Sequence, residues 1–266
     1  MVKYNLIVAD PPWEFSDRLT MSSTPRGADA NYDTLTLKAI EDLEISELAA
    51  DDAVLVLWVP SSMLQEGLST MKNWGFVQKQ TFVWVKVKQT HGALDPLKEL
   101  RKQCNKLIKN PLNIKTIFND VNNLINGFDI NNILSMYLGH LFRQTHEIAL
   151  IGIRGNIYNK LAVKNQRSVL LDKNFGHSSK PEGLQDRLNL MFPDFIKLEL
   201  FARRQRLGWL CVGDEAFMTK GEDVRTSIKK LKNITSSAYE KMLSLISDDS
   251  DMSKNMLSQL WKSIDC

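Results

Sequence analysis

A short apolar run that ends in an acidic proline turn stands near the start of the chain. It reads Tyr4-Asn5-Leu6-Ile7-Val8-Ala9-Asp10-Pro11-Pro12-Trp13. Residues 4–9 are typical of a buried parallel strand whose carboxyl end is stopped by the prolines. Residues 11–30 are mostly polar, with several Ser, Thr and Arg residues and one Gly. The pattern predicts a long loop after a buried strand, the position where open α/β sheets bind their ligands.

Strand and helix patterns alternate along most of the remaining chain. The predicted strands are residues 4–9, 53–59, 81–87, 146–154, 168–171, 197–202 and 209–212. The predicted helices are residues 36–49, 61–74 and 181–190. This alternation predicts an α/β fold with a mostly parallel sheet flanked by helices.

Two segments depart from this alternation. Residues 88–137 hold seven basic and four acidic residues, with apolar positions at helical spacing, which predicts a helical insertion. The insertion is either a solvent-exposed helical segment that packs on the core or a module that binds nucleic acid. Residues 217–266 predict a helical C-terminal extension whose apolar faces pack within the chain or form a dimer.

Composition restricts the class of protein. The 266 residues carry a net charge of +3, which permits nucleic acid as a partner without demanding it. Cys104, Cys211 and Cys266 form no Cys-x-x-Cys pair, so neither a disulfide framework nor a metal site is predicted. The chain shows no signal-peptide pattern and no apolar run of roughly twenty residues, so we expect a soluble, cytoplasmic protein without a membrane partner.

The acidic proline turn suits the methylation of an exocyclic adenine amine. The lone pair of this nitrogen is delocalised into the ring, but its two N–H groups can be bound by acceptors. If the Asp10 carboxylate and the Pro11 carbonyl each accept one N–H, the lone pair is directed at an incoming methyl group. Pro11 and Pro12 fix the backbone, and Trp13 either stacks on the base or is a buried aromatic at a strand end. We therefore predict Asp10, Pro11, Pro12 and Trp13 as catalytic residues.

Further motif blocks follow this turn in a fixed order. They are residues 31–35, 56–59, 74–76, 82–86, 139–147, 150–155, 177–182, 198–204, 208–209 and 213–215. In this order the blocks resemble the N6-adenine methyltransferase family named after its 70-kDa catalytic subunit, and the chain looks most like its compact prokaryotic or phage-type members. The resemblance implies a Rossmann-like, S-adenosylmethionine-dependent methyltransferase domain in residues 1–216, followed by the extension 217–266.

The resemblance also implies a set of binding residues. The S-adenosylmethionine site would contain Asp10, His146, Lys180, Phe201, Arg203, Asp214 and Glu215. Tyr32 and Lys86 would contact the substrate. Asp214 stands where the family usually has Asn, but a carboxylate also accepts hydrogen bonds from ribose hydroxyls.

The implied function is methyl transfer from S-adenosylmethionine to the N6 amine of adenine in DNA. DNA is favoured over RNA because the short chain resembles compact members without appended RNA-binding domains. The alternatives are RNA adenosine methylation, a non-catalytic nucleic-acid-binding subunit, and methylation of a small nucleotide or a protein side-chain amide. Residues 88–137 would then form a target-recognition module, and association with a second copy or a partner subunit is left open.

Overall fold

The computed structural model describes residues 1–14, 34–88, 114–126, 130–137, 141–174, 179–248 and 250–265, together with residues 102, 105 and 109. The chain divides into two compact units. The first contains Met1–Val83, Glu147–Ser168 and Gln185–Cys266, and the second contains Trp84–His146 and Val169–Leu184.

A seven-stranded sheet organises the fold. Its strands are β1 (Tyr4–Ala9), β2 (Ala49–Val59), β3 (Val77–Val87), β4 (His146–Arg154), β5 (Val169–Lys173), β6 (Lys197–Leu200) and β7 (Leu210–Val212). They are ordered β5-β3-β4-β2-β1-β6-β7. Among the pairs whose register is described, β1–β2, β1–β6 and β6–β7 are parallel, and β2–β4 is antiparallel. The α/β prediction is confirmed, with a mixed sheet in which β4 runs against its neighbour β2.

The described helices are α1 (Leu37–Glu41), α2 (Ile45–Leu48), α3 (Leu64–Asn73), α4 (Ile114–Asn126), α5 (Glu182–Met191), α6 (Val224–Asn233), α7 (Ser236–Ser247) and α8 (Asp251–Lys262). The helix predicted over residues 36–49 is two short helices, because the backbone of Glu44 leaves the helical region and the last residue already belongs to β2. The helical prediction for residues 88–137 is confirmed for α4. No helix in the described ranges is long and apolar enough to cross a membrane.

Strand β1 lies in the middle of the first unit's core. Its residues from Leu6 to Ala9 are almost fully buried, as expected for a parallel strand covered on both faces. The core cluster that contains Ile7 also contains Met242 of α7 and Trp261 of α8. The C-terminal helices therefore pack within the chain, which is the first of the two predicted alternatives. The domain boundary at residue 216 stays a prediction.

Candidate active site

Three neighbouring strands end at one edge of the first unit's sheet. Ala9 of β1 is paired with Leu200 of β6, and Leu200 is paired with Val212 of β7. The next residues along the chain, Asp10, Phe201 and Gly213, therefore follow adjacent parallel strands at their carboxyl ends. Open α/β sheets bind ligands at this edge, so the predicted catalytic turn and the predicted cofactor strand lie together.

The turn after β1 is held by backbone hydrogen bonds. The N–H of Trp13 donates to the carbonyl of Pro11 at 2.9 Å, and the N–H of Leu35 donates to the carbonyl of Pro12 at 2.9 Å. A carbonyl oxygen has two lone pairs, so the Pro11 carbonyl keeps one further acceptor position. The half-buried Asp10 stands at the start of this fixed turn.

Trp13 lies in the hydrophobic core rather than on an open face of the site. Its side chain is 3% exposed, and its indole N–H donates to the backbone carbonyl of Trp58 at 2.9 Å. Of the two alternatives given for Trp13, this burial is that of an aromatic packed at a strand end. The ring links the turn to β2, because its apolar faces are buried in the core and its indole N–H donates to a carbonyl of that strand.

The backbone is unusual at the end of β6. Phe201 has φ = 60°, and it is the one non-glycine residue with positive φ in the described part of the chain. This conformation costs about 1–3 kcal/mol for such a residue and tends to occur at binding and catalytic sites. A Cβ on the adjacent Gly213 would lie 2.2 Å from the carbonyl oxygen of Ala202. Close approach of the two strand ends therefore requires glycine at position 213.

The predicted polar cofactor residues follow these strand ends. The Arg203 guanidinium lies 2.9 Å from the Glu215 carboxylate in a partly exposed ion pair. Asp214 is exposed, and its backbone carbonyl accepts a hydrogen bond from Gly221 at 3.0 Å. An exposed carboxylate on a fixed backbone is a suitable acceptor for ligand hydroxyl groups.

Glu199 lies in the motif block 198–204, but no individual role was predicted for it. Its carboxylate accepts a hydrogen bond from the Gln185 amide at 3.3 Å and lies 3.9 Å from the Arg206 guanidinium. Burial in β6, together with the nearby charge of Asp10, raises the pKa of Glu199 to about 7. The signal in the sequence was a carboxylate between two apolar residues, Leu198 and Leu200, in a buried strand. Glu199 can therefore exchange a proton near neutral pH beside the predicted catalytic turn.

Two buried side-chain oxygens near Glu199 have no hydrogen-bond donor within the described protein. They are the amide oxygens of Gln185 and Gln205. The amide nitrogens of the same residues donate to Glu199 and to the Cys211 carbonyl, respectively. Buried amide oxygens nearly always have a donor, so these two are acceptors available to a ligand.

Three predicted site residues belong to the second unit. The Lys86 ammonium lies 4.8 Å from the Trp84 ring centroid and 4.7 Å from that of Tyr137. His146 begins β4, where its carbonyl accepts a hydrogen bond from the Gln144 amide at 3.0 Å. Lys180 is half-buried just before α5. Their predicted roles at the cofactor and substrate stay predictions, and Tyr32 lies outside the described residues.

Comparison with known proteins identifies the family. A family model described as MT-A70 matches residues 4–115 and 121–215. A Mycoplasma protein named type II methyltransferase M.MunI is 26% identical over 222 residues, which cover 78% of this chain and 75% of that protein. A human protein named N(6)-adenine-specific methyltransferase METTL4 is 24% identical over 217 residues, which cover 80% of this chain and 37% of that protein.

A protein of Oryza sativa subsp. japonica, named probable N(6)-adenosine-methyltransferase MT-A70-like, is 24% identical over 216 residues, which cover 80% of this chain and 23% of that protein. The chain thus spans most of the Mycoplasma relative and well under half of the human and rice relatives. The family match confirms the resemblance that the ordered motif blocks indicated. The chain belongs to the MT-A70 family, and its sheet and helices form the fold of that S-adenosylmethionine-dependent methyltransferase family.

Proposed function

We propose that this protein transfers a methyl group from S-adenosylmethionine to the N6 amine of adenine in DNA. The observation that carries the proposal is the juxtaposition of Asp10, in its fixed proline turn, with the strained Phe201 at the end of the neighbouring strand. The preference for DNA is supported by the relative named type II methyltransferase M.MunI, which is matched over three quarters of its length.

The residues at the sheet edge fit S-adenosylmethionine. The amide oxygens of Gln185 and Gln205 are buried acceptors without a protein donor, and the cofactor carries amine, ammonium and hydroxyl donors. Asp214 would hold ribose hydroxyls, and Phe201 would contact an apolar face of the cofactor. When bound, S-adenosylmethionine supplies an electrophilic methyl group on a sulfonium sulfur. Arg203, which is paired with Glu215, would contact a polar edge of the cofactor.

Asp10 and Pro11 orient the acceptor amine. The carboxylate accepts one N–H of the adenine amine, and the free lone pair of the Pro11 carbonyl accepts the other. Because the prolines and the bonds to Leu35 hold the turn, this orientation is set before the substrate arrives, which is the main source of rate enhancement in this proposal. The amine proton can leave after the methyl has moved, so Asp10 acts by positioning rather than as a strong base.

The test is methyl incorporation from radiolabelled S-adenosylmethionine into duplex DNA, single-stranded DNA and RNA of matched sequence. We expect label in DNA, and a loss of at least about 100-fold in Asp10→Asn, since orientation effects of this size are typical. Asp42→Asn is the matched control, because Asp42 forms an exposed ion pair with Lys38 far from the strand ends in sequence. Binding of S-adenosylmethionine to each variant, measured by calorimetry, separates a lost cofactor site from lost chemistry.

The other outcomes discriminate between the alternatives. Label in RNA alone would favour adenosine methylation in RNA, an activity suggested by the name of the rice relative. Cofactor binding without transfer to any nucleic acid would favour a non-catalytic subunit. Equal label with Asp10→Asn and wild type would contradict the role assigned to the proline turn.

A further inference from the structure

The turn that follows β7 is closed by hydrogen bonds between its two ends. Residues 213–221 form this β7 turn, which carries Asp214 of the proposed cofactor site. The Thr219 hydroxyl accepts a hydrogen bond from the N–H of Gly213 at 2.9 Å and donates to the carbonyl of Gly213 at 2.8 Å. The Gly221 N–H donates to the Asp214 carbonyl at 3.0 Å. The far end of the turn therefore fixes the backbone that presents the Asp214 carboxylate.

The residue directly after this turn is bound by the C-terminal extension. The two oxygens of the Glu222 carboxylate lie 3.2 and 3.3 Å from the indole nitrogen of Trp261 in α8, which donates to them. The same carboxylate lies 2.8 Å from the Lys230 ammonium of α6 and accepts a hydrogen bond from the Ser227 hydroxyl at 2.7 Å. Trp261 is 1% exposed and Lys230 is 9% exposed. Hydrogen bonds to a charged group are stronger than neutral ones, so α6 and α8 hold Glu222 in one position.

Backbone bonding and packing connect Glu222 to the β7 turn. The Glu222 N–H donates to the carbonyl of Thr219 at 2.9 Å. Helix α8 packs against residues 217–219, and Met218 belongs to the same buried cluster as Trp261. Close-packed interiors transmit displacements from one group to the next. A shift of α8 therefore reaches Thr219, whose hydroxyl holds the start of the turn.

The polar character of this contact is not explained by packing alone. The apolar faces of the extension already pack in the core of the first unit. Apolar residues of similar volume often replace a buried ion pair without loss of stability, so burial of the extension does not require a carboxylate at position 222. The family match ends at residue 215, and helices α6 to α8 lie beyond it. The position of Glu222, next to a turn of the proposed cofactor site, indicates a role in fixing that turn.

We propose that the C-terminal extension holds the β7 turn in the conformation that binds S-adenosylmethionine, with Glu222 and Trp261 as positioning residues. This inference rests on the proposed function, because it takes the Asp214 carboxylate as an acceptor for cofactor hydroxyls. A turn with several conformations binds its ligand only in the competent fraction, and the apparent affinity falls by that fraction. Both residues act through the turn and not on the reacting groups.

The first test measures backbone amide hydrogen exchange without cofactor. Trp261→Phe removes the indole N–H and keeps an aromatic ring. We expect the Gly213 and Gly221 amides to lose most of their protection, because a bond to a charged group is comparable to the stability of a short turn. Tyr239→Phe is the matched control. Tyr239 is a buried aromatic of α7 whose hydroxyl is hydrogen-bonded to the backbone of Lys197, at the opposite end of β6 from the cofactor edge.

The second test measures the binding of S-adenosylmethionine by calorimetry. If the turn in Trp261→Phe is closed about one third of the time, the Kd rises about threefold, and we expect at least this change. Tyr239→Phe should keep the wild-type Kd. In methyl transfer, Trp261→Phe should raise the KM for S-adenosylmethionine and keep kcat at saturating cofactor, because only binding is lost. Glu222→Gln, which keeps the shape and weakens the bond to Lys230, gives the same comparison if Trp261→Phe does not fold.

Faster exchange in the β7 turn together with weaker cofactor binding, in the Trp261 variant and not in the Tyr239 variant, supports the proposal. Unchanged exchange in the turn overturns it, and so does unchanged cofactor affinity. An equal effect of Tyr239→Phe overturns it as well, because the extension would then supply general stability only.

The failure of this inference differs from the failure of the proposed function. If wild type binds S-adenosylmethionine but transfers methyl to no nucleic acid, the proposed function fails, and exchange and calorimetry still decide the role of the extension. If wild type binds no S-adenosylmethionine, both fail. If wild type binds and transfers and the Trp261 variant does the same with equal Kd and KM, this inference alone fails.

Discussion

Glu199→Gln probes the buried carboxyl group beside the proline turn that follows β1. The pKa of Glu199 is raised from 4.5 to about 7, mainly by burial and further by Asp10. In the unfolded chain the pKa returns to its ordinary value, so the folded protein binds more protons between pH 4.5 and 7 and loses stability as the pH rises through this window. At about 1.4 kcal/mol per pKa unit, ionisation costs the wild type about 3 kcal/mol at pH 8 and about 1 kcal/mol at pH 5. Glutamine has a similar shape and no such cost.

The assay is urea unfolding followed by tryptophan fluorescence, which reports on the first unit through buried rings such as Trp58 and Trp209. The stability of Glu199→Gln relative to wild type should rise by about 2 kcal/mol between pH 5 and pH 8. Glu240→Gln, on the exposed face of α7, is the control and should stay within about 0.5 kcal/mol at both pH values. A stability difference that does not change with pH would refute the reasoning, because it would mean that Glu199 ionises as it does in water.

Three further substitutions test the described contacts. Gly213→Ala should cost at least about 2 kcal/mol in thermal unfolding, because the added Cβ meets the Ala202 carbonyl at 2.2 Å; an unchanged Tm would contradict the close approach. Trp13→Phe should cost about 1–2 kcal/mol by removing the buried hydrogen bond to the Trp58 carbonyl, and no loss of urea stability would argue against that bond. Asp223→Ala should remove the α6 N-cap and cost about 1 kcal/mol near neutral pH. Since Arg225 lowers the pKa of Asp223 to about 2, this cost should persist down to pH 4 and disappear as the pH falls through 2; a cost independent of pH would exclude the ionised cap.

Local patterns were enough to predict much of the fold and part of the site. The run in residues 4–9 is apolar throughout and stops at two prolines, and both signals act within a few residues. They place Asp10 at the end of a central strand, which β1 confirms. The motif blocks are local signals too, because each is a short stretch of neighbouring residues. Their order along the chain indicated the family.

The boundaries between elements depended on less local effects. Residues 36–49 have a helical pattern, but the backbone of Glu44 is not helical and separates α1 from α2, and Ala49 already pairs with β1. The antiparallel direction of β4 likewise has no local signal. The apolar run of residues 148–153 is compatible with a buried strand of either direction, because mixed sheets also contain strands that are covered on both faces.

The sequence by itself determined the α/β class, the position of the proline turn and the family. Only the tertiary structure decided that Trp13 packs in the core, that Glu199 has a raised pKa, and that Leu141 and Phe142 are open to solvent. The physical reason is that burial and electrostatics depend on groups from distant parts of the chain. Trp13 is bonded to a carbonyl 45 residues away, and Glu199 is affected by Asp10 from the other end of the sequence.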